Sequence, residues 1–140
     1  MTQDRFDVEY KILSRYFKPK QFRLTQNELL FAAQTNSLRV YTIKVDLTND
    51  YPYSVPKVFI TNPKPLRDKW GLPLTDASHS MHTLPAENGC TRICHYGSID
   101  WGPHATLYQI ILKVRFWLEI YENHLKTGEP LDKYLTSAEY

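Results

Sequence analysis

Cys90 and Cys94 are the two thiols in this chain of 140 residues, and they stand four positions apart. A cysteine thiolate is a strong nucleophile, and a thioester formed on it keeps an acyl group reactive toward amines. Buried among apolar side chains, the same thiol is an inert small hydrophobe. His79, His82, Asn88, Arg92, His95 and Asp100 lie close by in the chain. His79, His82, Cys90, Cys94 and His95 are also zinc-binding residue types, but His-x-x-His followed by Cys-x-x-x-Cys does not match a strong zinc spacing. The thiols thus admit three uses: acyl transfer, metal binding or packing.

These residues fall in a stretch unlike the rest. Residues 61–105 hold Pro63, Pro65, Pro73, Pro85 and Pro103, both cysteines and four of the five histidines. No periodicity is sustained there. A long irregular segment inside a compact domain tends to carry function.

Regular elements flank it. Phe6, Tyr10, Leu13 and Phe17 recur at helical spacing, so an amphipathic helix of about four turns is expected, capped by Asp4 and stopped by Pro19. Residues 22–33 have mixed strand character around Leu29, Leu30 and Phe31, followed by a polar turn over residues 34–37. Tyr41, Ile43, Val45 and Leu47 alternate with Thr42, Lys44 and Asp46, the pattern of a half-buried strand. Val58, Phe59 and Ile60 make a third, giving an antiparallel meander. Thr106 with Gln109 is a capping-box pair. Leu107, Ile110, Ile111, Val114, Trp117, Leu118, Tyr121 and Leu125 then mark one apolar face, ended by Gly128 and Pro130. The expected fold is α+β, one domain over residues 1–140, in the order helix, meander, irregular segment, helix.

Composition excludes several classes. A formal net charge of +2 calls for neither nucleic acid nor an anionic membrane. Arg5, Lys11, Arg15, Lys18, Lys20 and Arg23 do cluster early, as a solvated basic face would. No apolar run approaches the roughly 20 residues of a membrane span, and the first residues lack a secretory layout. A cytoplasmic chain with free thiols is expected, needing no cofactor.

The motifs, taken in order, resemble those of the ubiquitin-conjugating superfamily. Tyr51-Pro52-Tyr53-Ser54-Val55-Pro56-Lys57-Val58 is similar to its Tyr-Pro-x-x-x-Pro-x-Val stretch. Ile93-Cys94 resembles the pair ending in the catalytic cysteine, and Trp101-Gly102-Pro103 the Trp-x-Pro turn before a long helix. The resemblance spans residues from about 5 to 126. It implies a ubiquitin-conjugating-type fold in which Cys94 accepts an activated protein C-terminus and passes it to an amine. It also implies structural roles for Trp101 and Pro103, and a rigid crossover built by Tyr51, Pro52 and Pro56.

Departures accompany it. The family's His-Pro-Asn triplet, whose asparagine helps stabilise the oxyanion, aligns with Leu84-Pro85-Ala86, where only the proline survives. A replacement donor is then sought among Asn88, His82 and His95, or in backbone N–H groups near Cys94. His82, just ahead of Leu84-Pro85, could take the histidine's usual place. Asp100 is the nearest carboxylate after Cys94 and could orient or deprotonate an incoming lysine, or simply shape the turn before Trp101. Cys90, after the turn-forming Asn88-Gly89 pair, is expected to be exposed: a spectator, a resolving thiol, or the nucleophile itself. The family's two extra C-terminal helices are not expected before Tyr140.

A short form with a rewritten His-Pro-Asn region resembles bacterial members encoded in antiphage cyclic-oligonucleotide signalling (CBASS) operons. That resemblance implies a partner: the C-terminus of a cyclic-oligonucleotide synthase (CD-NTase), or alternatively a ubiquitin-like protein. An activating enzyme would dock on the N-terminal helix. The rival readings are a binding scaffold of the same fold and a His/Cys zinc domain.

Overall fold

The computed structural model describes residues 1–95 and 101–135. Its first helix, α1, spans Gln3–Tyr16. Thr2, not Asp4, is the N-cap, its hydroxyl accepting from the Arg5 N–H at 3.2 Å. Asp4 instead lies in the first turn, where its charge complements the helix dipole. The chain turns extended at Phe17, and Pro19 opens a short 3₁₀ turn, Pro19–Gln21.

Among the described residues, six strands follow: β1 (Phe22–Leu24), β2 (Glu28–Gln34), β3 (Val40–Asp46), β4 (Lys57–Asn62), β5 (Thr83–Glu87) and β6 (Cys90–Ile93). They form one antiparallel sheet in the order β1-β2-β3-β4-β6-β5. The mixed segment at residues 22–33 is thus two strands. Thr25 makes the break between them, its hydroxyl accepting from the N–H groups of Asn27 and Glu28. The alternation in β3 behaves as its spacing predicts, with Tyr41, Ile43 and Val45 buried and Thr42, Lys44 and Asp46 half-buried on the other face.

The second helix, α2, spans Leu107–Thr127 and covers the inner face of the sheet. Its capping box is complete: Thr106 N–H donates to the Gln109 side chain and Gln109 N–H to the Thr106 hydroxyl. Gly128 closes it at a φ of 77°, a left-handed conformation that glycine adopts without steric cost. Leu107, Ile110, Ile111, Val114, Trp117 and Leu118 are fully buried against Leu29, Ile43, Val45, Val58, Ile60 and Ile93. After α2, a 3₁₀ turn at Leu131–Lys133 brings fully buried Leu131 and Leu135 into the same core.

The irregular segment is more ordered than its composition predicts. β5 and β6 form a hairpin within it, joined by Asn88 (φ 53°) and Gly89 (φ 75°), the paired positive angles of a type I′ turn. Pro85 within β5 and a register shift between Leu84 and Glu87 hide the two-residue period from a sequence reading. Among the described residues, no helix is long and apolar enough to cross a membrane.

Candidate active site

Cys94 is the first residue beyond β6. Strand alternation buries Thr91 and Ile93 on the core side and turns Arg92 outward. Thr91 ties the preceding loop to this strand: its hydroxyl donates to the Leu74 carbonyl and accepts from the Leu66 N–H, both at 3.0 Å. Cys94 itself is half-buried, and its N–H donates to the His82 carbonyl at 3.0 Å. Burial pushes its thiol above the ordinary value of 9.0, while the Arg92 charge pulls the other way. At neutral pH the resting thiol is thus almost wholly protonated. A thiolate formed from it is correspondingly more nucleophilic, because thiolate nucleophilicity rises with pKa.

Arg92 belongs to a charged cover on the outer face of the sheet. The register places Leu30, Lys44, Phe59, Arg92 and Leu84 in one cross-strand row. Phe59 is only 4% exposed although it faces away from the core. Glu87 joins the cations around it, 3.0 Å from Lys57 and 3.8 Å from Arg92. The long stems of Lys and Arg can lie over such an apolar ring while their heads stay in water.

Cys90 is buried, against the expectation of exposure. It pairs with Glu87 directly after the turn, lines one cavity with Glu87 and Phe59, and its thiol faces the Asn88 carbonyl at 3.7 Å. Four residues of extended strand separate Cys90 from Cys94 by roughly 13 Å. A disulfide needs Cα atoms about 4.4–6.8 Å apart, so Cys90 is not placed as a resolving thiol.

Two of the proposed assisting groups, Asn88 and His82, do not have their side chains gathered at the thiol. Asn88 sits at the hairpin tip, the opposite end of β6 from Cys94, and so is not placed as an oxyanion donor. The His82 ring turns to the C-terminal segment, its Nε2 2.9 Å from an Asp132 carboxylate oxygen that also lies 3.4 Å from His79. His95 is buried, and desolvation lowers its pKa to about 4, so it is neutral at pH 7 and is not the imidazolium that would favour a thiolate. The Cys94 N–H is already engaged by His82. Asp100 lies outside the described residues. Among the described residues, no three His, Cys, Asp or Glu side chains meet as a metal site would require, so the set His79, His82, Cys90, Cys94 and His95 does not assemble as zinc ligands.

A carboxylate missed in the sequence reading organises the downstream side of the site. Glu9 of α1 is fully buried. One of its oxygens accepts from Arg5 Nε and Nη2 at 3.2 Å and from the Tyr51 hydroxyl; the other accepts from the Leu107 N–H at 3.2 Å. Burial and the Glu9 charge hold the Tyr51 hydroxyl far above its usual range, so it stays a donor. Arg5 reaches on to the carbonyls of Pro103 (3.1 Å) and Ala105 (2.7 Å). Trp101 donates its indole N–H to the Pro52 carbonyl at 2.7 Å and packs against Tyr51. The Tyr51-Pro52 crossover, Trp101 and the start of α2 are therefore one hydrogen-bonded unit. The signal was a charge at position 9, on the same helical stripe as Phe6 and Leu13.

Compared with known proteins, the chain matches no family model, no curated protein and no solved structure.

Proposed function

We propose that this chain is a ubiquitin-conjugating-like thiol transferase with a ubiquitin-conjugating-type fold, carrying an activated protein C-terminus on Cys94. The observation that carries the reading is the contrast between the thiols. Cys94 is the accessible one, at the point where β6 leaves the sheet, and the Trp101-Gly102-Pro103 turn and capped α2 follow it. Helix, meander, thiol and helix come in the order that the motif resemblance implies.

The chemistry has two steps. The Cys94 sulfur gives up its proton and attacks the activated carbonyl carbon; the activating group leaves with its electron pair, and a thioester forms. A lysine amine then attacks that carbonyl, the C–S bond breaks, the amine loses a proton, and the thiol is restored as an isopeptide forms. The donor we propose is the C-terminus of a cyclic-oligonucleotide synthase in bacterial antiphage defence. The outer face of α1, with Lys11, Arg15 and exposed Val8, is the surface offered to an activating enzyme; Arg5 is engaged internally.

A binding scaffold is the second reading, favoured by the protonated thiol and by the commitment of the His82 ring to Asp132. Co-expression of Cys94→Ser with the synthase and its activating enzyme separates the two. A transferase traps the synthase as an oxygen ester that survives reducing thiol and breaks in base. A scaffold gives no covalent species, and a Cys94→Ala chain that retains full defence activity contradicts the transferase.

A further inference from the structure

We infer that His82 and Asp132 are positioning residues for Cys94, and that the segment following α2 holds the thiol in register through them. The inference rests on reading Cys94 as the acyl carrier.

Residues 80–82 form a hub. Their three consecutive carbonyls each accept from a different part of the chain: Ser80 from the Asp132 N–H at 2.9 Å, Met81 from the Trp117 indole at 3.0 Å, and His82 from the Cys94 N–H at 3.0 Å. Met81 is buried, so the hub is pinned to the core beneath it. Asp132 is held in turn between Leu131 and Leu135, both fully buried.

His82 adopts a φ of 54°, a left-handed conformation unfavourable for a residue with a Cβ, so surrounding contacts must hold it there. The Asp132 carboxylate does so by accepting from His82 Nε2 at 2.9 Å. That ring is nearly buried, and the hydrogen bond from it is the first cause of the lowered Asp132 pKa, so the carboxylate is ionised and Nε2 carries the proton. The rotation that fixes the ring also fixes the direction of the His82 carbonyl. This carbonyl extends the strand pairing by one residue, from Ile93 to Cys94. Releasing the ring lets the backbone leave the left-handed region and swings the carbonyl away from the Cys94 N–H.

The test uses the full chain alone. Backbone amide exchange at Cys94 and the rate of Cys94 alkylation by iodoacetamide are measured in Asp132→Ala, His82→Ala, the double variant and Asp132→Asn. Each single alanine variant should speed Cys94 amide exchange about tenfold or more, with Ile43 and Val45 amides unchanged, because local opening is independent of global unfolding. Alkylation should change by about threefold, and the double variant should do no more than either single, as expected for residues acting through one link. Asp132→Asn, which keeps an oxygen acceptor, should return both readouts to within about twofold of the parent. If Asp132→Ala does not fold, Asp132→Ser takes its place: it keeps the N–H to Ser80 but cannot reach the ring. Folded variants with unchanged Cys94 exchange and alkylation, or additive effects in the double variant, overturn the inference. Neither readout needs a donor protein. Failure of acyl loading would therefore remove the transferase while leaving the positioning intact.

Discussion

Glu9, in the first helix, accepts a hydrogen bond from the backbone N–H of Leu107, 98 positions later, at 3.2 Å. A side chain of one helix thereby caps the first turn of the other, and the same carboxylate holds Arg5 and the Tyr51 hydroxyl. Glu9→Ala leaves the Tyr51 hydroxyl and the Leu107 N–H facing a buried gap and strips Arg5 of its carboxylate, while Arg5 keeps the Pro103 and Ala105 carbonyls. It should cost about 3 kcal/mol, the scale for breaking a buried, hydrogen-bonded ion pair. Urea unfolding measures this as a lowered midpoint with an unchanged slope; a loss within experimental error removes Glu9 from the frame of the site.

Cys94 should be alkylated well before Cys90, because one thiol is half-buried and the other buried beside Phe59 and Glu87. The Cys94 rate should keep climbing past pH 9, since burial raises its pKa. Arg92→Gln removes the charge that opposes this rise, so the midpoint of the pH–rate profile should move further up. Peptide mapping after partial alkylation identifies which thiol reacts. Equal labelling of both, or a midpoint below 9 (the ordinary value), contradicts this description.

His95 makes stability acid-sensitive. Its folded pKa lies near 4, below the ordinary 6.5. Between these values the unfolded chain binds a proton that the folded chain excludes. Stability is therefore fully present above pH 6.5 and falls as pH drops toward 4, by roughly 3 kcal/mol in all. His95→Gln has no proton to gain there and should flatten this part of the profile. Denaturant unfolding of both chains at several pH values measures the difference; parallel curves refute a buried neutral His95.

Much of the frame is legible in sequence because it rests on local signals. The Thr106–Gln109 box, Gly128 and the stripe from Leu107 to Tyr121 define α2 without tertiary knowledge, as the alternation around Ile43 defines β3. The N-cap of α1 falls two residues before the Asp4 expected, since either side chain can cap and only the chain path decides. The β5–β6 hairpin was hidden by Pro85 and by its short strands, although Asn88-Gly89 announced its turn. Contacts between distant residues were not legible: nothing in spacing links His82 to Asp132, or Glu9 to Leu107. The thiol could be singled out from sequence, whereas its surroundings come from tertiary pairing.

We propose that Cys94 carries an acyl group. The most direct measurement is the intact mass of the chain after incubation with an activating enzyme, ATP and the synthase. The expected result is a new species equal to the chain plus the synthase less one water, lost on adding reducing thiol and absent from Cys94→Ala. An unchanged mass under conditions where the activating enzyme is itself loaded, or an adduct that persists in Cys94→Ala, contradicts it.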